Sequence, residues 1–112
     1  MKIVDVNSAP EKANPHNVSV RLLYDKEHAQ AMHIELKPGE SLKKHITPVD
    51  VFFYILKGNG IVEIGDESNE ANQDMLIESP ARVPHRLINN SEEIFRILVV
   101  KTPKPTESTR LL

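Results

Sequence analysis

The chain has 112 residues, a formal net charge of −2 and no cysteine. Its length leaves room for one domain around one core, and the missing cysteine removes disulfides, thiolate metal ligands and cysteine nucleophiles. With 39% apolar and 27% charged residues the composition is that of a folded globular protein. The near-neutral charge provides no basic surface for nucleic acid. No apolar stretch approaches the roughly 20 residues that cross a bilayer as a helix.

The opening residues, Met1-Lys2-Ile3-Val4-Asp5, are too polar for a secretory apolar region, so a cytoplasmic location is expected. Residues 1–16 are expected to form an N-terminal arm, with Ile3, Val4 and Val6 available as an edge strand. From Val18 the pattern becomes that of short strands punctuated by turns. Val18, Val20 and Leu22 alternate with Ser19, Arg21 and Leu23, and Asp25-Lys26-Glu27 turns the chain. Met32, Ile34 and Leu36 alternate with Ala31, His33 and Glu35 up to Pro38-Gly39. Val51 to Leu56 is a continuous apolar run, the pattern of a strand buried on both faces. Gly58-Asn59-Gly60 offers positive φ for a tight reversal, and Ile61–Ile64 is predicted to pair back as a hairpin. The polar stretch 65–74 is predicted as a loop. Met75–Glu78, Val83–Ile88 and Phe95–Lys101 complete the strands. Strands at this spacing favour a sandwich or barrel over residues 17–101, and the proline-containing residues 102–112 are expected to be an extended or mobile tail.

Two histidines stand forty residues apart behind turn signals. His45 follows Pro38-Gly39-Glu40-Ser41-Leu42-Lys43-Lys44, and Gly58 lies thirteen residues on. His85 closes Pro80-Ala81-Arg82-Val83-Pro84, and Asn89 lies four residues on. Over residues 29–101 this order resembles the two motifs of the cupin superfamily. The resemblance implies an all-β, double-stranded β-helix (cupin, or jelly-roll) barrel, and a homodimer as the assembly. Gly39, His45 and Gly58 fit the first motif. Pro80, Pro84, His85 and Asn89 fit the second, with Arg82 where glycine is usual. The family's metal is held by two histidines and a glutamate of the first motif and the histidine of the second. Here Thr47 stands at the second histidine and Val51 at the glutamate.

The resemblance thus leaves His45, Asp50 and His85 as candidate ligands of a divalent metal (Fe, Mn, Ni or Zn), a set similar to a two-histidine, one-carboxylate site. Two registers are open for Asp50. Simple alternation with His45, Thr47 and Val51 inward turns it outward, and a one-residue bulge near Pro48 turns it inward. Thr47, Tyr54 and Arg82 are candidate contacts for a small-molecule ligand. His33 is expected on the outer face opposite Met32, Ile34 and Leu36, or inside if that apolar face meets a second subunit. His16 and His28 are expected in solvent. Three functions compete: a small-molecule-binding barrel with or without metal, a metal-dependent oxygenase or isomerase, and an interaction protein with a filled barrel.

Overall fold

A computed structural model describes residues 1–112. After a single 3-10 turn at Val6–Ser8, the chain forms ten strands: β1 (Ser19–Lys26), β2 (Ala29–Leu36), β3 (His45–Ile46), β4 (Asp50–Lys57), β5 (Asn59–Ile64), β6 (Glu67–Asn72), β7 (Leu76–Ser79), β8 (His85–Ile88), β9 (Phe95–Thr102) and β10 (Arg110–Leu111). They make two five-stranded sheets, ordered β1-β2-β9-β4-β7 and β10-β3-β8-β5-β6, with every pairing antiparallel. This is the double-stranded β-helix expected from the sequence. No helix is long and apolar enough to cross a membrane.

Period-two alternation places the core. Val51, Phe53 and Ile55 of β4, Phe95, Ile97 and Val99 of β9, and Ile34 and Leu36 of β2 all point between the sheets. From the other side come Val62, Ala71 and Leu87. The two sheets therefore close on each other through branched and aromatic side chains, the packing such pleated surfaces favour.

Three sequence expectations change. Ile61–Ile64 does not pair back on Val51–Leu56: β4 lies between β9 and β7 in one sheet, while β5 lies between β8 and β6 in the other. The turn at Gly58 carries the chain between sheets rather than around a hairpin. Its φ is +82°, and a Cβ there would sit 2.4 Å from the Ile94 carbonyl oxygen, so glycine is required. The polar stretch after Gly65 is not a loop but β6, an edge strand whose only buried side chain is Ala71. Its apolar signal is absent because an edge strand facing solvent needs none.

The tail, expected to be extended or mobile, folds back. Arg110 and Leu111 pair with Ile46 and His45 of β3, and the Leu112 N–H donates to the Lys44 carbonyl at 3.0 Å. The N-terminal arm is docked as well. Lys12 donates to the Val20 carbonyl at 2.8 Å, and Leu22 donates to the Pro10 carbonyl at 3.2 Å. Both segments lie over one mouth of the barrel, where Lys12 to His16 and Thr109 join the lining of an interior cavity.

Candidate functional site

His45 and His85 are register partners across β3 and β8, and both are buried. Their Nε2 atoms lie 3.0 Å apart. The opposite sheet contributes a second row, Ser79–Val51–Lys101, aligned across β7, β4 and β9. From that row the Ser79 hydroxyl reaches His85 Nδ1 at 2.6 Å. Thr47 Oγ1 is 3.2 Å from His85 Nε2, and the Phe53 ring meets His85 edge-on at 5.3 Å.

Donor and acceptor chemistry orients this chain of contacts. His45 Nδ1 lies 2.7 Å from the Lys43 carbonyl oxygen, which can only accept, so Nδ1 carries the proton. In the neutral ring His45 Nε2 is then a bare lone pair. His85 Nε2 must carry a proton to approach it, with Thr47 Oγ1 as a second acceptor. His85 Nδ1 is in turn bare and accepts from the Ser79 hydroxyl. One backbone carbonyl thereby sets the tautomers of both histidines.

Burial holds these rings neutral. It pushes His85 down to about 3, with the nearby His45 and Lys101 charges adding to the effect. It also lowers His45, against the opposing hydrogen bond to Lys43. His16, expected in solvent, belongs to the same group. Its Nδ1 accepts from the Lys43 N–H at 2.8 Å, its ring centroid is 4.7 Å from that of His45, and burial followed by His45 pushes it down to about 4. His28 is exposed, with Nε2 2.7 Å from the Tyr24 hydroxyl.

The cavity above the pair has a volume of about 170 Å³. Its apolar wall includes Val20, Met32, Ile34, Phe53 and Val99, and its polar wall includes Asn14, Thr47, the three histidines, Lys12 and Lys101. No carboxylate lines it. Burial pushes the Lys101 ammonium below the usual lysine value, as expected for a cation partly withdrawn from water.

The other sequence candidates lie elsewhere. Asp50 is exposed, and its Oδ1 accepts from the Ala81 N–H at 2.8 Å. His45, Thr47 and Val51 are buried and Asp50 is exposed, so Asp50 falls on the outer phase. Its carboxylate tethers the Pro80–Pro84 turn instead of joining the histidines. Tyr54 faces outward, and its hydroxyl donates to Asp74 at 3.2 Å. Arg82 stands in the same turn with φ +66°, which accounts for the glycine usual at this position, and its exposed guanidinium lies 3.7 Å from Glu107. Asn89 is buried, donating to the Leu36 and Glu93 carbonyls and accepting from Ser91, and so shapes the turn before β9.

The donor set does not match the metal arrangement that the sequence suggested. Two imidazole nitrogens converge, Thr47 is a neutral hydroxyl, and no three histidine or carboxylate side chains are arranged to hold one metal ion. A metal site built by the protein ordinarily supplies three ligands or more.

Sequence reasoning missed Ser79, Lys101 and His16. Lys101 was legible, since it continues the inward phase of Phe95, Ile97 and Val99. Ser79 and His16 gave no local signal. Their positions depend on the pairing of β7 with β4 and on the docking of the arm.

The family model described as "Cupin domain" matches residues 32–101. The chain belongs to the cupin family. A similar protein is the uncharacterized protein MJ0764 of Methanocaldococcus jannaschii, 31% identical over 87 residues that cover 77% of this chain and 75% of that protein. The tetracenomycin polyketide synthase protein TcmJ of Streptomyces glaucescens is 29% identical over 72 residues, covering 63% of this chain; this cupin spans only 48% of TcmJ. Among solved structures, the polyketide cyclase RemF of Streptomyces resistomycificus superposes with a TM-score of 0.85 at 20% identity, covering 100% of this chain and 85% of RemF. That likeness establishes the fold.

Proposed function

We propose that this cupin binds a small organic anion inside its barrel, with the acidic group at Lys101 and the apolar body against Met32, Phe53 and Val99. The observation that carries the reading is the charge of the lining: two lysines and no carboxylate around one cavity whose three histidines are neutral. A cation partly removed from water is better compensated by an anionic ligand than by solvent. The neutral histidine pair satisfies itself, and the Thr47 hydroxyl, which accepts from His85 Nε2, keeps its own proton to donate, so a ligand whose acidic oxygen can accept that bond fits best. A carboxylate, phenol or enol on a small ring or short chain has that chemistry.

The volume limits the ligand's size. About 170 Å³ is below the usual range of roughly 300–1,000 Å³ for drug-sized ligand sites, so the molecule is small or the arm over the mouth moves aside. The sequence similarity to TcmJ, a polyketide synthase protein, supports an organic ligand over an inorganic one.

Titration calorimetry with benzoate, and with uncharged benzamide as control, tests the reading. Saturable benzoate binding that exceeds benzamide and weakens at least about tenfold in Lys101→Met is the expected result, since a charge-assisted hydrogen bond contributes about 1.5–3 kcal/mol. Equal binding of the two compounds, or benzoate binding undiminished in Lys101→Met, would overturn it.

A further inference from the structure

We infer a second binding site on the outer face of the β1-β2-β9 sheet, where Arg96 and His33 hold a compact oxyanion, a carboxylate or a phosphate. His33 is only 2% exposed, yet it lies on the face opposite the barrel core, neither in solvent nor inside the barrel. The side chains of Arg21, His33 and Arg96 occupy the strand positions between the inward Val20, Ile34, Phe95 and Ile97. With Ser19, Glu35 and the arm residues Val6 and Asn7 they line a cleft of about 290 Å³.

Hydrogen-bond accounting singles out this cleft. Arg96 Nε donates to His33 Nε2 at 2.9 Å. A guanidinium nitrogen only donates, so Nε2 is the bare nitrogen and the neutral ring carries its proton on Nδ1. Burial, followed by the charge of Arg96, lowers the pKa of His33 and keeps it neutral. Nδ1 is the one buried side-chain polar atom in the protein without a partner. A buried donor left without a partner keeps its desolvation penalty, which a ligand acceptor removes.

Arg96 adds to the unfilled capacity. Its terminal nitrogens make no hydrogen bond and no ion pair within the protein. Arg21 is already engaged, donating to the Ala9 carbonyl at 2.7 Å and lying 3.9 Å from Glu11. The one carboxylate in the cleft lining, Glu35, is the register partner of Arg96 and is also unpaired. An unpaired guanidinium fork and an orphaned N–H on two residues that line one cleft suit an oxyanion, and Glu35 favours one with a hydrogen-bond donor next to the charge.

The site is separate from the barrel cavity, because its residues alternate with the inward ones, and it does not depend on the reading of that cavity. The test is a titration of ¹⁵N-labelled protein with inorganic phosphate and with acetate, following the side-chain resonances of Arg96 Nε and His33 Nδ1 by NMR. It is run in wild type and in Arg96→Gln, Arg96→Lys, Glu35→Gln and Lys101→Met. The expected result is a saturable shift of both resonances with at least one of the two anions. The apparent affinity should fall at least about tenfold in Arg96→Gln, as loss of a charge-assisted hydrogen bond implies. It should rise in Glu35→Gln, where the like charge is gone, and stay unchanged in Lys101→Met. Saturation by phosphate alone identifies phosphate-bearing ligands, and saturation by acetate identifies carboxylates. The Arg96→Lys variant keeps the charge and loses the fork, so it covers the case in which Arg96→Gln fails to fold. No saturable shift with either anion, or affinity unchanged in both Arg96 variants, would overturn the site. So would shifts that follow protein concentration rather than added anion, which would assign the face to a second copy of the chain.

Discussion

His45 and His85 are directly opposed in the β3–β8 ladder, with Nε2 atoms 3.0 Å apart, and a single backbone carbonyl, that of Lys43, decides which of the two carries the shared proton. Neither ring can change tautomer alone. Moving the proton on one end reverses every bond as far as Ser79. The pair is therefore one polar unit inside an apolar barrel, and its neighbours are testable as parts of that unit.

The Ser79 hydroxyl is the only donor to His85 Nδ1. In Ser79→Ala that buried nitrogen loses its partner, and the expected loss of stability is about 1–3 kcal/mol. Urea midpoints measure the loss. Ring ¹⁵N shifts of His85 should still show the Nε2–H tautomer in the same variant, because the Lys43 carbonyl continues to orient His45. A changed balance would mean that the Ser79 hydroxyl shares in fixing the pair.

Stability should depend on pH with a definite sign. Burial lowers His85 to about 3 and His16 to about 4, both below the ordinary value of 6.5. The unfolded chain therefore binds protons that the folded chain refuses. Stability is fully present above about pH 6.5. It falls as pH drops toward 4 and then 3, where the folded state begins to take up the same protons. Melting temperatures between pH 8 and 4 check this, with His85→Gln expected to flatten the profile. A flat profile in the parent protein would contradict the burial of these rings.

Asp50 makes its only side-chain hydrogen bond to the Ala81 N–H, on the outer surface. Asp50→Asn is expected to cost about 1 kcal/mol or less. It should leave ligand binding in the barrel unchanged. Removing divalent metal by chelation should likewise leave the melting temperature where it was. A metal site filled at 100 times its dissociation constant would contribute about 2.7 kcal/mol, a melting shift of roughly ten degrees or more. A shift of that size, abolished in Asp50→Asn, would restore the carboxylate to the site.

Backbone conformation separates two turn positions. Gly58→Ala combines a left-handed residue, costing about 1–2 kcal/mol, with a Cβ pressed against the Ile94 carbonyl, and should be strongly destabilising. Arg82→Gly places glycine at φ +66°, where arginine is strained, and should change stability by less than about 1 kcal/mol, with the sign toward gain. Chemical denaturation of both variants gives the comparison.

The barrel was legible because its signal is repetitive. Alternation along Met32–Leu36 and Phe95–Lys101, with turns at Gly39 and Gly58, carries one face of the core, and the two motif histidines face it from the other sheet. The turn signals and the motif spacing put His45, Thr47 and His85 in one group of candidates, and the three side chains meet in the barrel. Asp50 stayed open between two registers, because one residue of phase separates inside from outside and the sequence around Pro48 allows either phase; the outward register is the one observed. Residues brought in by long-range docking were invisible. His16 reads as loop until the arm is seen to cross the mouth, and Ser79 is an unremarked hydroxyl until β7 is paired with β4. β6 was hidden for the opposite reason, since a solvated edge strand has no apolar periodicity to read.

The docked arm gives the cavity a competitor of its own. The His16 imidazole already occupies a place beside His45, and the Asn14 side chain braces its segment by bonding the His16 N–H and the backbone of Val18. A molecule arriving from outside must either fit beneath that segment or displace it and break the bond from Lys43 to His16. Selection at this mouth is thus a contest between ligand and polypeptide. Loosening the segment, as in Asn14→Ala, would widen the range of molecules admitted without altering a single residue at the floor of the barrel.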